Sequence, residues 1–421
     1  MLVAGLLVAV GVALLVLGRG DEPPAGLPVV PTPPGADVES VPDPFAWDPE
    51  RADEFARRAA AGNSHLLYTL SPGGAAASAA RTARWRPAVE RAAAEAGVNA
   101  DTLEGLVFLE SAGREDARAP GGLENAVGLT QILAETAQNL LGMRVDLDAS
   151  ARYTRRLARA ERRGRERQAA ALRRARQRVD ERFDPDRALA GTARYLALAR
   201  ERFGREDLAF VSYHMGIGNL ESVLRDYGGG DPSYAQLYFD STPTHHAAAY
   251  RRLTGLGDDS SNYLWKIAAA REIMRLWRED RPQLERLAAL HDHLPSAAEV
   301  LHPPDEADSG DVVPFPDDPA VTGVRVGAGE VRREALAMAL YIGAQVRAIS
   351  GQEPLTVGSG AGWAFDVRRR YRSRRQALAF QFVLDRLQSL NAIAWSREGD
   401  AIHIVVSRDA EVLLPLLDRV Q

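Results

Sequence analysis

The sequence predicts a mostly α-helical domain followed by a small α+β domain, both behind an N-terminal apolar segment. Residues 1–18 are uncharged and apolar. From Trp47 to about Leu294, apolar residues recur with helical spacing and almost no alternating strand pattern interrupts them. After a Pro- and Asp-rich stretch at 296–325, interpreted as a linker, the pattern changes. A chain of 421 residues, 46% of them hydrophobic, can bury more than one core.

The composition argues against several classes of function. The net charge of −5 argues against nucleic acid as the main partner. The sequence contains no cysteine, which excludes disulfide bonds, thiolate catalysis, thiolate zinc sites and a lipidated cysteine anchor. The glycine-rich stretch 358–362 lacks the Lys and Ser/Thr of a phosphate-binding loop, and the His245-His246 spacing matches no metal motif. We therefore predict no cofactor.

The apolar segment 1–18 is at the lower length limit for a membrane span and too long for a typical signal-peptide core. No Ala-x-Ala-like cleavage site follows it, which favours an uncleaved anchor over a cleaved signal peptide. The charge pattern disagrees, because Arg19 follows the segment and no basic residue precedes it. Residues 19–46 are Pro-rich and predict a stiff spacer. We therefore expect a single-pass protein of the cell membrane, and under both alternatives the domains are extracytoplasmic.

The helical pattern defines a first domain over 47–295, with an Arg-dense insertion at 151–182. One interpretation of the insertion is a solvated helical hairpin or a long protruding helix, because charge runs usually make a solvated face. The other is a basic arm that binds anionic polymers or lipid headgroups. Helices are predicted near 51–61, 85–97, 101–112, 132–141, 151–180, 186–203, 206–225, 262–278 and 281–293.

The second domain is predicted over 326–421, a size sufficient for independent folding. Its pattern indicates α+β structure, with a hairpin that turns at Gly399 and Asp400. The elements are helices at 329–349, 375–390 and 409–418, a short strand at 355–357 and hairpin strands at 391–396 and 401–406.

The helix near 101–112 has predictable ends. Asp101 followed by Glu104 has the spacing of a capping box, which favours a helix start at this point. Ala112-Gly113 is typical of a helix C-terminus.

Glu110 is the candidate catalytic residue on this helix. Leu103, Leu106 and Val107 form an apolar stripe, and Glu110 takes the next position on the same face. Burial and the negative end of the helix dipole both disfavour the carboxylate. We therefore expect a raised pKa for Glu110, which a general acid working near neutral pH requires. The alternative is an exposed carboxylate at a helix end.

Two later stretches and a tyrosine follow the Glu110-Ser111 pair. Residues 126–137 read Ala-Val-Gly-Leu-Thr-Gln-Ile-Leu-Ala-Glu-Thr-Ala, and 209–220 read Ala-Phe-Val-Ser-Tyr-His-Met-Gly-Ile-Gly-Asn-Leu. Tyr263 precedes a Lys-Ile pair. In this order they resemble the motifs of soluble-type lytic transglycosylases: Glu-Ser, Gly-Leu-Met-Gln-(Ile/Leu)-x-Pro-x-Thr-Ala, Ala-Tyr-Asn-Ala-Gly and a late Tyr. The resemblance covers roughly 85–280 and implies a goose-lysozyme-like helical fold.

The resemblance also implies a reaction on the glycan strands of peptidoglycan, at the MurNAc–GlcNAc β-1,4 bond. Glu110 would protonate the leaving oxygen and then act as base toward the muramoyl 6-hydroxyl, which closes a 1,6-anhydro ring. Ordinary glycosidases need a second carboxylate, whereas this reaction does not. Glu115, Asp116 and Glu124, on the loop after the helix, are the candidates for one. Protein partners are not predicted.

Three of the implied site residues are expected to support Glu110 or to bind sugar. Gly128 would let the backbone approach the sugar or Glu110 closely. Gln131 would hydrogen-bond one of them, and Ser111 would support Glu110 or the sugar. For Gly128 an ordinary turn remains the alternative, and for Gln131 a helix N-terminal cap.

The remaining implied residues are aromatic. Tyr213 and Tyr263 would hold the acid through their hydroxyl groups, and a packed core aromatic is the alternative for each. His214 stands where the family usually has a sugar-contacting Asn, and a histidine can also donate to a carbonyl.

The chain departs from the family pattern at three positions. Thr130 replaces a Met, Ala134 a Pro and His214 the usual Asn. The His214 substitution leaves the expected reaction class unchanged and concerns the substrate contacts. A hydrolytic muramidase that releases a reducing end, and a non-catalytic cell-wall-binding scaffold, remain alternative functions.

The second domain resembles the zinc-peptidase fold of D-alanyl-D-alanine carboxypeptidases. The resemblance rests on the stretch Gly-Trp-Ala-Phe-Asp that ends at Asp366 and on a later strand with His403. It puts Asp366 and His403 at the second and third ligand positions and Ser359 at the first, where the family has His. A catalytic zinc needs three protein ligands, so we predict no metal. We expect a non-catalytic domain that binds stem peptide or packs on the first domain, and the alternative for the pair is a structural hydrogen bond.

Overall fold

The computed structural model describes residues 44–243, 245–294, 312–314, 324–326, 329–350, 355–368, 371 and 373–419. As predicted, it is mostly helical and carries a small sheet domain at its C-terminal end. Within these ranges no helix is both long enough and apolar enough to cross a membrane. The expected anchor at 1–18 and most of the spacer at 19–46 lie outside the described residues, so both stay predictions.

The first domain is built from helices joined by short loops. Short 3₁₀ turns lie at Pro49–Arg51, Glu181–Phe183 and Ser260–Asn262, and a single π turn at Thr136–Leu140. The helices are α1 (Ala52–Gly62), α2 (His65–Leu70), α3 (Ala75–Ala83), α4 (Arg86–Ala96), α5 (Ala100–Ser111), α6 (Leu147–Arg162), α7 (Glu166–Val179), α8 (Pro185–Phe203), α9 (Glu206–Met215), α10 (Ile217–Tyr227), α11 (Tyr234–Asp240), α12 (Ala247–Gly255), α13 (Tyr263–Glu279) and α14 (Arg281–His293).

Several helix predictions need correction. The helix expected at 132–141 is only the π turn. The helix expected at 151–180 is the hairpin of α6 and α7, interrupted near Gly164, and that expected at 206–225 is interrupted at Gly216; both glycines have positive φ. Helices α2, α3, α11 and α12 were not predicted. Each is at most nine residues long, so its stability comes from packing rather than from local sequence.

The start of α5 differs from the predicted capping box. Asn99 is the N-cap, and its side chain accepts a hydrogen bond from the Thr102 amide at 3.0 Å. Glu104 is buried and pairs with Arg86 at 3.0 Å and with Arg278. Asp101 pairs with Arg86 at 2.6 Å. The two acids thus tie α4, α5 and α13 together instead of capping the helix.

Close packing of α5 on α13 fixes the position of Glu110. A Cβ atom on Gly105 would lie 2.8 Å from the Ile267 carbonyl oxygen and 2.9 Å from Cγ of Arg271. Only a glycine therefore lets the two helices approach this closely. Helix α5 ends before Ala112, which adopts the left-handed conformation, so the predicted helix end is confirmed.

The second domain contains one seven-stranded sheet among the described residues. Its order is β1-β3-β4-β5-β7-β6, and β2 also pairs with β4. The strands are β1 (Val312–Pro314), β2 (Val324–Val326), β3 (Gly329–Arg332), β4 (Leu355–Gly362), β5 (Ala364–Arg368), β6 (Ile393–Glu398) and β7 (Ala401–Val406); the helices are α15 (Arg333–Ser350) and α16 (Arg374–Ser389), and a 3₁₀ helix spans Arg408–Arg419.

The predicted hairpin is present, with Glu398 opposite Ala401 and positive φ at Gly399. Other predictions for this domain were incomplete. Strand β5 was missed, β3 takes the first residues of the helix expected at 329–349, and the closing helix is 3₁₀ rather than α. The stretch 296–325, expected to be only a linker, contains β1 and the start of β2. Short strands of this kind depend on their partners in the sheet and leave little local signal.

The two domains share a continuous hydrophobic core. Tyr238 and Tyr250 both contact the ring of Phe382 edge-on, with centroid distances of 5.3 and 5.4 Å. The buried guanidinium of Arg386 donates to the carbonyl oxygens of Phe239 at 3.0 Å and Phe45 at 2.6 Å. The second domain therefore packs on the first, one of the two roles expected for it.

Gly62, the last residue of α1, lies directly against the second domain. A Cβ atom there would lie 1.8 Å from the backbone oxygen of Gln388. We expect Gly62→Ala to lower the free energy of unfolding by about 1–3 kcal/mol, because overpacking forces the backbones apart. Urea unfolding followed by circular dichroism measures this change.

Gly218→Ala provides the matched control for this substitution. Gly218 is also helical, but no atom lies within 4 Å of the added Cβ, so the control should be neutral or slightly stabilising. Equal unfolding curves for the two variants would contradict the tight interface.

Candidate active site

A cleft in the first domain collects side chains from five of its helices and from the loops between them. Apolar residues of α2 and of the loop before α6 form its walls, and polar residues of α5, α9 and α13 converge inside it. The lining residues are Leu66, Leu67, Leu109, Glu110, Ala126, Gln131, Ile132, Leu133, Thr136, Leu141, Tyr195, Tyr213, His214, Gly216, Asp259, Tyr263 and Lys266.

Glu110 is the central polar group of this cleft. Its Oε1 atom accepts a hydrogen bond of 2.5 Å from the hydroxyl group of Tyr263, the first residue of α13. The Tyr263 hydroxyl contact predicted from the sequence is therefore present. Oε2 of Glu110 has no hydrogen-bond partner among the described residues and is left for a ligand.

Burial raises the pKa of Glu110 to about 7, as the sequence predicts. The hydrogen bond from Tyr263 works in the opposite direction, and the negative charge of Asp259 adds to the increase. Burial and the neighbouring Glu110 also raise the pKa of Tyr263 well above its ordinary value, so this hydroxyl keeps its proton and acts as a donor. At neutral pH a large fraction of Glu110 is protonated and can act as a general acid.

Tyr213 does not contact the acid in the predicted way. Its hydroxyl group donates to the backbone oxygen of Thr130 at 2.8 Å and lies 3.2 Å from the Thr192 hydroxyl. The ring still lines the cleft, edge-on to Tyr195. Tyr213 therefore holds the loop that carries Thr130 rather than the carboxyl group.

His214 lines the cleft next to Tyr263. Its ring stacks on Tyr263 with a centroid distance of 4.8 Å, and its Nδ1 lies 2.9 Å from the Ser260 hydroxyl. The side chain is only 6% exposed, yet Nε2 has no hydrogen-bond partner among the described residues and lies 3.8 Å from Asp259 Oδ1. A buried ring nitrogen without a partner is costly unless a ligand or water completes it.

Asp259 is a second carboxylate in the cleft. Burial alone would raise its pKa, but the nearby Lys266 ammonium and the His214 ring outweigh burial and hold the pKa of Asp259 below its ordinary value. Lys266 donates to Asp259 Oδ2. Asp259 therefore stays ionised under conditions in which Glu110 is largely protonated.

The sequence interpretation overlooked Asp259 and Lys266, although both flank Tyr263 in the last motif. Glu115, Asp116 and Glu124, suggested instead as a second carboxylate, are not among the residues that line the cleft. A compositional signal was available. Of the 52 basic residues in the chain, Lys266 is the only lysine. The Lys266 side chain is only 15% exposed beside Asp259. A compact ammonium fits in this space, whereas a planar guanidinium needs more room.

Gly128 lies against the backbone of Arg182. Its φ is +84°, and a Cβ atom would lie 1.9 Å from the Arg182 backbone oxygen. The glycine therefore allows close approach to Arg182, and close approach to a sugar stays a prediction.

Arg182 holds the loop of the second motif in place. Its side chain is fully buried and forms a bidentate pair with Asp180, with two distances of 2.9 Å. Its remaining N–H groups donate to the backbone oxygens of Leu123, Asn125 and Ile132 at 2.8, 3.1 and 3.3 Å. All five N–H groups of the guanidinium are thus used, and three of them fix the backbone that presents Gln131 and Leu133 to the cleft.

The two other predicted polar residues use their side chains locally. Gln131 has positive φ and lines the cleft, but its amide group donates to the Gly128 backbone oxygen at 2.9 Å and not to Glu110. The hydroxyl of Ser111 is buried and donates to the Val107 oxygen within its own helix at 3.1 Å. Ser111 does not line the cleft, so the structure offers no sugar contact for it.

The three positions compared with zinc ligands lie side by side on one face of the sheet. Ser359 on β4 pairs with Asp366 on β5, which pairs with His403 on β7. Asp366 accepts hydrogen bonds from Ser359 at 2.5 Å and from His403 at 2.8 Å, so the two oxygens each have a partner. The arrangement matches the structural hydrogen-bonded pair, and the absence of metal binding stays a prediction.

One other group of side chains could hold a metal ion within the described part of the chain. Asp240, His245 and His246 present ligand atoms within 4.8 Å of one another. Asp240 already pairs with His245 at 2.9 Å and with His246 at 3.4 Å, and the Tyr227 hydroxyl donates to it at 2.7 Å. These contacts account for the cluster without a metal.

No protein-family model matches this chain, and no curated protein is similar enough to count as a relative.

The raised pKa of Glu110 predicts a pH-dependent cost in stability. An unfolded chain ionises this carboxyl group near pH 4.5, whereas the folded chain does so near pH 7. Between these two pH values the folded chain holds a proton that the unfolded chain has released. The free energy of unfolding therefore falls as the pH rises through this range. At pH 8 we expect the free energy of unfolding of the Glu110→Gln variant to be about 1–3 kcal/mol higher than that of the wild type. At pH 5 this difference in free energy should be smaller.

Urea unfolding at the two pH values measures this difference. Glu95→Gln removes a carboxylate from an exposed position of α4 and serves as the control, with no such gain expected. A constant difference between the Glu110→Gln variant and the wild type at both pH values would contradict the raised pKa.

Proposed function

We propose that this chain is a peptidoglycan lytic transglycosylase with Glu110 as its acid and base. One observation carries the proposal: a carboxyl group with a pKa of about 7 lies in a cleft, fixed by a tyrosine hydroxyl on one oxygen and free on the other. The resemblance of four ordered sequence stretches to that family supports the same reaction. We further propose that the chain is anchored by residues 1–18 and acts outside the cytoplasm.

In the first step, Glu110 Oε2 donates its proton to the glycosidic oxygen of a MurNAc–GlcNAc β-1,4 bond. The bond between C1 of MurNAc and this oxygen breaks, and positive charge develops at C1 and the ring oxygen. Tyr263 keeps its proton and stays hydrogen-bonded to Oε1. The donor bond stabilises the carboxylate that remains.

In the second step, this carboxylate takes the proton of the muramoyl 6-hydroxyl while O6 bonds to C1. The product is a 1,6-anhydro ring, no water is consumed, and Glu110 is again protonated for the next cycle. A single acid–base residue therefore completes the reaction, since the nucleophile belongs to the substrate.

Asp259 supplies a fixed negative charge to this reaction. Because Lys266 keeps it ionised, it stabilises positive charge on the sugar electrostatically and helps retain the proton on Glu110. Two carboxyl groups whose pKa values are moved apart by their surroundings are typical of glycan-cleaving sites.

Asp259 also favours a second candidate function, a hydrolytic muramidase. An ionised carboxylate beside the unpartnered Nε2 of His214 can orient a water molecule toward C1. The product would then be a reducing sugar instead of an anhydro sugar. Both functions use Glu110 as the acid, and they differ only in the nucleophile.

The second domain has a supporting role in this proposal. It packs on α1, α11 and α12 through a shared core, on the part of the first domain that the cleft-lining residues do not occupy. Its Ser359, Asp366 and His403 lie partly exposed on the sheet and could bind stem peptide by hydrogen bonds.

Glu110→Gln should abolish glycan cleavage while leaving glycan binding intact. Loss of general acid–base catalysis alone costs about 10²–10⁴-fold in rate. Mass spectrometry of the muropeptides released from purified peptidoglycan measures both the rate and the product. Anhydro ends are the expected product, reducing ends would select the muramidase, and cleavage by Glu110→Gln at the wild-type rate would overturn the assignment of the acid.

Asp259→Asn should move the alkaline limb of the pH–rate profile to lower pH. Cleavage needs protonated Glu110, so the rate falls as the pH rises through about 7, and removing the neighbouring negative charge lowers the pKa of Glu110. The kcat/KM of both enzymes is measured between about pH 5 and 9, the range that brackets this pKa.

Asp258→Asn is the matched control. It removes the same charge from the neighbouring residue, whose side chain does not line the cleft. Its profile should coincide with that of the wild type. Coincident profiles for Asp259→Asn and wild type would remove Asp259 from the electrostatics of the site.

A further inference from the structure

The hairpin of α6 and α7 is an isolated region of positive charge. Residues 147–179 contain twelve arginines and three acidic residues, Asp148, Glu161 and Glu166, whereas the whole chain carries a net charge of −5. The hairpin itself has a net charge of +9. Positive charges at this density repel one another, which destabilises the folded hairpin. Binding of an anionic ligand would offset this repulsion.

The apolar residues of the hairpin are used between its two helices. Leu157 and Ala160 of α6 pack on Ala169 and Leu172 of α7, with Tyr153 beside them. No large apolar side chain of 147–179 is among the exposed ones. A helix that inserts into a bilayer surface needs an exposed apolar face, so this hairpin is not built for insertion into a membrane.

Four arginines line one groove along α6. Arg152, Arg155, Arg156 and Arg159 recur at the spacing of a single helix face and lie beside Tyr153, with Ala149 and Val179 at the root. None of the four has an ion-pair partner among the described residues, whereas Arg173 on α7 pairs with Glu161 at 2.6 Å. The groove therefore offers a row of guanidinium groups that can each bind a carboxylate through two hydrogen bonds.

The root of the hairpin is joined to the wall of the cleft. The Asp146 amide donates to the Val179 oxygen at 2.8 Å, and Val145 forms a bridge with Asp180. Asp180 pairs with Arg182, which fixes the cleft loop. From this root α6 extends for 16 residues, about 24 Å at 1.5 Å per residue. The hairpin and the cleft loop are therefore joined through one short segment of chain.

We propose that the groove binds the carboxylate groups of acidic peptide branches on the glycan strand that occupies the cleft. This inference rests on the proposed function, which supplies a polymer with repeated anionic branches. A row of arginines without ion-pair partners along one helix face suits such repeated charges better than a single small anion. The hairpin then acts as a second binding surface for the same substrate and holds it while Glu110 acts.

The test replaces the four groove arginines by glutamine, R152Q/R155Q/R156Q/R159Q. The matched control, R162Q/R163Q/R165Q/R167Q, removes the same charge from exposed positions at the tip of the hairpin. A second groove variant with lysine at the four positions keeps the charge. Circular dichroism and the thermal midpoint establish that all three variants fold, since none of the replaced side chains is an ion-pair partner in the described structure.

Kinetics are measured on glycan strands that carry their peptides and on strands whose peptides have been removed by an amidase. For the groove glutamine variant we expect KM on peptide-bearing strands to rise at least about fivefold at low salt, with kcat unchanged and the difference disappearing near 1 M salt. On peptide-free strands it should equal the wild type. The tip control should change KM by less than about twofold, and the lysine variant should keep most of the binding.

Several results would overturn the inference. They are an unchanged KM in the groove glutamine variant, an equal loss on peptide-free strands, and an equal loss in the tip control. Binding of wild type to vesicles containing phosphatidylglycerol, lost in the groove variant while strand binding is kept, would assign the groove to lipid instead. If wild type cleaves no strand, the proposed function fails, and cosedimentation of Glu110→Gln and its groove variant with insoluble peptidoglycan still tests the groove.

Discussion

The buried ion pair of Arg182 and Asp180 is the constraint on which the site depends. Two charges without solvent are costly unless every donor and acceptor finds a partner. Here all five guanidinium N–H groups are satisfied, and Asp180 also accepts from the Ser150 hydroxyl at 2.9 Å. Because three of the bonds go to backbone oxygens of the loop before α6, they hold this loop in position. The cleft wall, the hairpin root and the start of α8 are thereby fixed together.

The catalytic group depends on a second contact, between α5 and α13. Gly105 lets the helices approach until Tyr263 reaches Glu110. The carboxyl group then experiences opposing effects, because burial favours its neutral form and the tyrosine hydroxyl favours its charged form. Burial has the larger effect, and the pKa settles at about 7. A site that must both give and take a proton at neutral pH requires this balance.

Arginine and lysine have distinct tasks in this chain. Buried arginines act as structural connectors, since Arg182 joins the cleft loop to the hairpin root and Arg386 joins the two domains. The four groove arginines on α6 have no ion-pair partner in the described structure and are exposed. The single lysine lies in the cleft and keeps Asp259 ionised. The planar guanidinium suits several fixed acceptors, and the compact ammonium suits one carboxylate in a confined space.

The sequence by itself determined the helical first domain, the later α+β domain, and Glu110 on an apolar stripe. These follow from periodicity and from residues close together in the chain, which local physics is able to predict. Short helices such as α2, the exact partner of Gly128, and the use of Tyr213 on Thr130 were decided by tertiary structure, because each depends on a segment distant in sequence. The pairing of Asp259 with Lys266 beside Glu110 is of the same kind. Its residues are visible in the sequence, but their electrostatic role exists only once α5, α9 and α13 enclose them, since burial sets the strength of every charge in the cleft.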